Sequence, residues 1–288
     1  ISLLKGTEKS VNSVYVALSQ QVGYDRVVDA AERAGIPSGT PALDPVRSVA
    51  LGVASPHVID VAGAYATFAN HGVQVQTTVI TEVTGPNGAV LFKYDPTPKQ
   101  AFTPDTADTV TFALRKVVSD GTGTAALALG RPAAGKTGTT NENKSAWFAG
   151  YTPDLAAAVM FVKDGADGNP VSLSGTGGMN SVTGGSFPTR IWTAFMKAAL
   201  DGSPVQQFTD PTTMPTASPT VSPSATSASP SATSASPSPS SSSPSASPSP
   251  SDSGTPSSSP TPTPSSTPSS TPPAAGGGGG AAGGGTVP

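Results

Sequence analysis

The sequence predicts an α+β fold, helices first and an antiparallel sheet after them, and three observations carry that expectation. Apolar residues recur at helical spacing through the first part of the chain. Strand-like runs cluster from Lys136 to Val162, the last two joined tightly at Thr152-Pro153-Asp154. A final helical pattern follows a glycine-rich loop and is placed to return across that sheet.

Taken in order, Val11, Val14, Tyr15, Leu18 and Val22 predict a helix beginning at Ser10 and stopped by Gly23. Tyr24 to Ala34 reads as a second helix, with Val27, Val28 and Ala31 inward and Gly35 and Pro37 closing it. Val58 to Ala69 reads as a third, with Val61, Ala64, Tyr65 and Phe68 on one side. The β-branched run Val75 to Val83 and the shorter Ala89 to Tyr94 flank Pro86-Asn87-Gly88, a hairpin signal. Thr103 then caps a helix that runs to about Val118, with Pro104 at its first position. Gly121-Thr122-Gly123 ends it. Lys136 to Thr139, Ser145 to Tyr151 and Leu155 to Val162 predict three strands. The Gly175 to Gly185 loop leads to a closing helix from Pro188 to Leu200, with Ile191, Trp192, Phe195 and Met196 on its apolar side.

Composition divides the chain at about Phe208. Residues 1–208 have enough apolar content for one domain with a core. Residues 209–288 are nearly all Ser, Pro, Thr, Ala and Gly, and Asp252 is the only charge after Asp210. Such a segment buries too little apolar surface to offset chain entropy, so a disordered tail is expected. All 15 Lys and Arg residues, and every one of the 18 acidic residues except Asp252, precede position 211, a slight acidic excess. That balance provides no basic stripe for nucleic acid. With no cysteine and only His57 and His71, not at ligand spacing, neither a metal site nor any cofactor is implied. No apolar run reaches the length of a membrane span. Beginning on Ile1 rather than Met, the chain is expected to be part of a longer one.

Two short motifs can carry chemistry. Lys136-Thr137-Gly138-Thr139 sets one cation and two hydroxyls around a glycine, against which a ligand can lie close to the backbone. Its charge and hydroxyls suit a carboxylate, and the Thr139 N–H is a candidate oxyanion donor. Ser10-Val11-Asn12 stands at a helix start. Ser10 there is either a helix cap or a hydroxyl that passes a proton, while the Asn12 amide can bond to a peptide carbonyl.

Together these motifs resemble two of the three that mark penicillin-binding proteins and serine β-lactamases. The likeness extends along Lys9–Gly35, Leu51–Gly72, Thr137–Tyr151 and Gly184–Leu200, which look like the transpeptidase domain of class A, bifunctional penicillin-binding proteins. The Ser/Pro/Thr-rich tail also occurs in actinobacterial members of that group. The resemblance implies a penicillin-binding transpeptidase fold, incomplete at its N-terminus, and D,D-transpeptidation of peptidoglycan stem peptides ending in D-Ala-D-Ala. It makes β-lactams the inhibitors. Ser10 would relay a proton to the leaving group, Asn12 would anchor the donor peptide, Lys136 would support the proton traffic, and Thr137, Gly138 and Thr139 would hold the terminal carboxylate. It further implies an upstream glycosyltransferase domain and membrane anchor, a place on the extracytoplasmic face of the membrane, and contact with division or elongation machinery through the full-length protein.

The third motif, Ser-x-x-Lys, supplies the nucleophile and its base. Ser2-Leu3-Leu4-Lys5 matches the pattern, but it stands too close to Ser10 for the intervening chain to return to the cleft. The nucleophile is therefore expected before Ile1, the chain alone is expected to be inactive, and an exposed apolar groove is expected near Lys136. Two other functions fit the same motifs: a non-catalytic peptidoglycan-binding wall module, and a D,D-carboxypeptidase or β-lactamase-type hydrolase.

Overall fold

The computed structural model describes residues 1–212. Its first element is α1 (Leu3–Lys9), a helix that sequence periodicity does not reveal, because seven residues give too short a pattern. Ser2 caps it, its Oγ accepting from the Lys5 N–H at 3.2 Å. Tertiary contacts hold so short a helix in place. Thr7 shares a 2.6 Å hydrogen bond with the Tyr15 hydroxyl, and the nearly buried Glu8 carboxylate pairs with Lys5 at 2.6 Å and Lys9 at 3.0 Å. The Lys5 hydrogen bond, then that of Lys9, lowers the Glu8 pKa. The helix α2 (Asn12–Val22) begins two residues later than expected, and α3 (Tyr24–Ala34) and α4 (Val58–Ala69) follow as expected.

The long strand expected over Val75 to Val83 does not form. A two-residue strand β1 (Val73–Gln74) pairs antiparallel with β4 (Lys99–Gln100), and β2 (Glu82–Thr84) with β3 (Val90–Lys93). Between β1 and β2 the backbone bonds locally instead. The Thr78 hydroxyl both donates to Ile80 O and accepts from Ile80 N, an alternative that competes with a ladder. The turn at Gly88 (φ 77°) closes the β2–β3 hairpin as its sequence predicts.

The central sheet is antiparallel in the order β5–β6–β7, from β5 (Ala134–Thr139), β6 (Ser145–Tyr151) and β7 (Ala156–Val162). Alternation along β6 assigns its two faces. Tyr151 packs toward α4 and α5 (Pro104–Ser119), edge-on to Tyr65 at 6.2 Å and hydrogen-bonded to Thr111 at 2.8 Å. Phe148 packs on the other face against α6 (Phe187–Ala199), edge-on to Trp192 at 5.1 Å. Trp192 is fully buried, and its Nε1–H is shared between Gly150 O at 3.2 Å and Ala157 O at 3.1 Å. One indole thus ties α6 to both β6 and β7.

Gly135 and Gly150 face one another across β5 and β6 beneath this layer. A Cβ on Gly135 would stand 2.8 Å from both Ala149 O and the Phe148 ring, and one on Gly150 2.8 Å from Ala134 O. Beyond α6, Phe208 stacks edge-on to Tyr151 at 5.7 Å, Asp210 pairs with Arg115 at 2.6 Å, and the Thr212 N–H donates to Asp105 at 2.7 Å. The disordered tail expected over residues 209–288 otherwise concerns 213–288, which lie outside the described residues.

Candidate active site

The Lys136 ammonium donates to Ser10 Oγ at 2.7 Å and to Thr137 O at 2.9 Å, so the two motifs, 126 residues apart, meet. Ser10 does not open α2, contrary to the sequence expectation. It closes α1 in the left-handed region (φ 56°, ψ 50°), and Val11 caps α2 without a side-chain bond. The physical reason is a Schellman turn. The Val11 N–H donates to Gly6 O at 2.9 Å and the Ser10 N–H to Thr7 O at 3.2 Å, satisfying the last carbonyls of α1. A serine in this conformation costs about 1 kcal/mol relative to glycine-like freedom, and such strain is concentrated at functional sites. Asn12, at the first turn of α2, is exposed, and its side chain makes no hydrogen bond among the described residues.

Lys136 is half-buried with no carboxylate in contact, among Ala133, Ala134 and Gly135, all buried. Desolvation lowers its pKa from 10.5 to about 8. At neutral pH the side chain is still mostly an ammonium, but one that releases its proton readily. Lysine titration followed by 13C NMR is expected to show a midpoint near 8 for Lys136, and a midpoint at its ordinary 10.5 would contradict the burial. Since the folded pKa is the lower one, the unfolded chain holds the extra proton between the two values. This group therefore destabilises the fold below pH 8, and its penalty is relieved as pH rises from 8 to 10.5.

Register separates the lysine from the hydroxyls. Lys136 stands opposite Ala149 and Gly138 opposite Trp147, on the α4/α5 face, whereas Thr137 stands opposite Phe148 and Thr139 opposite Ala146, on the α6 face. Lys136 and the two threonines therefore stand on opposite faces of β5. That edge is open, because β5 pairs only with β6 among the described residues. The Thr140 N–H donates to Ser145 O at 3.0 Å, and ladder alternation from that pair directs the backbone groups of Thr139, Thr137 and Gly135 away from β6. The Thr139 N–H thus faces the open edge, and Lys136 binds the outward carbonyl of Thr137.

Two hydroxyl contacts complete this rim. Thr137 shares a 2.6 Å hydrogen bond with Thr122, and Thr139 Oγ1 accepts from the Gly184 N–H at 3.1 Å. Gly184 lies flat on the strand pair, for a Cβ there would stand 2.2 Å from Trp147 O. Sequence reasoning reads Gly121-Thr122-Gly123 as a helix stop and misses its hydroxyl. Glycines on both sides of one threonine were the available signal, since they mark a close backbone approach. The cavity beside α5, lined by Phe112, Val118 and Leu127 together with Arg115, Lys116 and Arg131, does not include Lys136 and is not the apolar groove expected there. Ser2 and Lys5 are also apart from the rim, the first capping α1 and the second paired with Glu8.

A serine hydroxyl held by a half-buried lysine thus lies beside an open strand edge that carries two threonines. The chain belongs to the penicillin binding protein transpeptidase domain family, whose pattern matches residues 1–178. It is 34% identical over 232 residues to penicillin-binding protein 1A of Mycobacterium tuberculosis, covering 73% of this chain and 28% of that protein. The Neisseria cinerea protein of the same name is 34% identical over 209 residues, covering 70% of this chain and 25% of its own. The chain thus spans about a quarter of the length of these relatives. Among solved structures, PonA1 from Mycobacterium tuberculosis in complex with penicillin V superposes with a TM-score of 0.65 at 33% identity, over 74% of this chain and 60% of that one. Penicillin-binding protein 1A from Haemophilus influenzae, at 23% identity, a TM-score of 0.63 and coverage of 74% of this chain and 36% of that one, shares the fold. No helix among the described residues is long and apolar enough to cross a membrane.

Proposed function

We propose that this chain forms the substrate-holding wall of a peptidoglycan D,D-transpeptidase that β-lactams inhibit, working on the extracytoplasmic face of the membrane as part of a longer protein. The observation that carries this reading is the 2.7 Å hydrogen bond from Lys136 to Ser10 at an unpaired strand edge. A stem peptide ending in D-Ala-D-Ala lies along that edge, its terminal carboxylate taken by the Thr137 and Thr139 hydroxyls and drawn by the Lys136 charge. The outward Thr139 N–H stabilises the oxyanion that develops when a nucleophilic serine attacks the penultimate carbonyl. Asn12 bonds to the donor peptide from the opposite side.

Proton transfer follows from the donor arrangement. Lys136 donates to Ser10 Oγ, which leaves the Ser10 proton free to pass to the departing amine of D-Ala, while Lys136 replaces it. An ammonium with a pKa of about 8 gives up that proton at little cost. The acyl group then goes to the amine of a neighbouring stem peptide, forming the cross-link.

Ser2 is unsuited to be the nucleophile, because its hydroxyl accepts from the Lys5 N–H and the Lys5 ammonium is committed to Glu8. Labelled penicillin is therefore expected to form a covalent adduct with the full-length protein and none with residues 1–288 alone. An adduct on the short chain that vanishes on Ser2→Ala would overturn this assignment. With the full-length protein, cross-linked dimer as the main product supports transpeptidation, whereas trimmed monomer alone establishes the hydrolase. Peptide binding with no turnover establishes the non-catalytic module.

A further inference from the structure

The rim of the cleft holds two hydroxyls whose protons must point the same way if they are to bind one anion. A threonine hydroxyl has a single proton and two lone pairs, so what it accepts decides what it can offer. For Thr139 the matter is settled by its partner. The Gly184 N–H at 3.1 Å can only donate, so Thr139 Oγ1 accepts there and its proton is left for a ligand. For Thr137 the partner is another hydroxyl, Thr122 at 2.6 Å, and either oxygen can be the donor.

The segment carrying Thr122 has little freedom. The Thr122 N–H donates to Glu8 O at 3.3 Å, the Gly123 N–H to Val117 O at 3.0 Å, and Lys9 Nζ reaches Asp120 O at 2.6 Å. A Cβ on Gly121 would stand 2.3 Å from Glu8 O, and one on Gly185 2.5 Å from Thr122 O. The last turn of α1, which carries Ser10, thus grips this loop on one side, and the loop that supplies Gly184 presses it on the other. Thr122 has no other hydrogen-bond partner for its hydroxyl among the described residues.

The geometry points to Thr122 as a positioning residue: its O–H donates to Thr137 Oγ1, turning the Thr137 proton toward the same ligand that Thr139 addresses. Thr122 O–H and Gly184 N–H are then equivalent braces, each occupying one lone pair so that both hydroxyl protons remain for the ligand. Two protons directed at one ligand favour a carboxylate, whose two oxygens both accept, over a carboxamide, which offers one acceptor oxygen and an NH2 donor. This deepens, and rests on, the transpeptidase reading.

The test measures penicillin acylation of the full-length protein, resolved into a binding constant and a maximal acylation rate. Two probes are used, a penicillin and its primary carboxamide derivative. Thr122→Val keeps the shape and removes the hydroxyl, and Thr122→Ser keeps the hydroxyl. Thr122→Val is expected to weaken binding of the carboxylate probe about tenfold, the scale of one misdirected hydrogen bond to a charge. The maximal rate and the carboxamide binding should stay within about twofold, and Thr122→Ser should restore the carboxylate preference. Equal changes for both probes, or none, would show that Thr122 merely packs. Failure of the unsubstituted protein to react with any penicillin would instead overturn the transpeptidase reading, and this assignment with it.

Discussion

Replacing Lys136 by Met in the full-length protein is expected to slow acylation by penicillin by about 10²- to 10⁴-fold, the range over which a positioned proton donor acts. Methionine occupies a similar volume and cannot charge, so the substitution removes the bond to Ser10 at 2.7 Å and the bond to Thr137 O at 2.9 Å while filling the space. Stability should not fall with the rate. The ammonium sits at a desolvated position, as its pKa of about 8 reports, and an uncharged side chain avoids that penalty at neutral pH. Time courses with fluorescent penicillin, run beside thermal melts, separate the two effects. A rate within about tenfold of the parent would remove Lys136 from the proton path.

The largest stability effect belongs to Trp192→Ala. Its indole is fully buried, stacks edge-on to Phe148 at 5.1 Å, and bonds to carbonyls on two strands. Truncation is expected to cost about 3–5 kcal/mol, a large part of the stability of any single domain. Urea unfolding monitored by circular dichroism measures it. Because α6 lies across the face that carries Thr137 and Thr139, the rim should loosen as well. A loss under about 1 kcal/mol would mean that the sheet holds its arrangement without the indole.

Much of this was legible in the sequence, and the exceptions share a cause. The helices α2 to α6 are long enough to display their period, and the three strands of the central sheet are bounded by clear turn residues. Ser10, Asn12 and the Lys-Thr-Gly-Thr run were visible because each is a local pattern. What stayed hidden depends on partners far along the chain. The conformation of Ser10 is set by α1, whose seven residues are held by Tyr15 and by the Glu8 ion pairs. The absent strand between β1 and β2 has β-prone residues but local bonds from Thr78 in place of a neighbour. The period of two that sends Lys136 and its neighbouring threonines to opposite faces is in the sequence. That β5 is an edge of the sheet among the described residues is not. Thr122 drew no notice because a threonine between glycines reads first as punctuation.

The seven-residue helix before Ser10 has a meaning beyond support. A helix advances about 1.5 Å and turns about 100° with each residue, so its length is also an angular setting. Ser10 is fastened to the end of α1 by the Schellman turn, and α1 is fastened at Gly6 against Val14, which leaves no room for a methyl group. One residue inserted between Gly6 and Lys9 would swing the serine by more than a quarter of a revolution and carry its hydroxyl off the lysine. A change of side chain on this helix leaves that setting alone, whereas a change in residue number alters it. The cleft keeps time with a clockwork of whole residues.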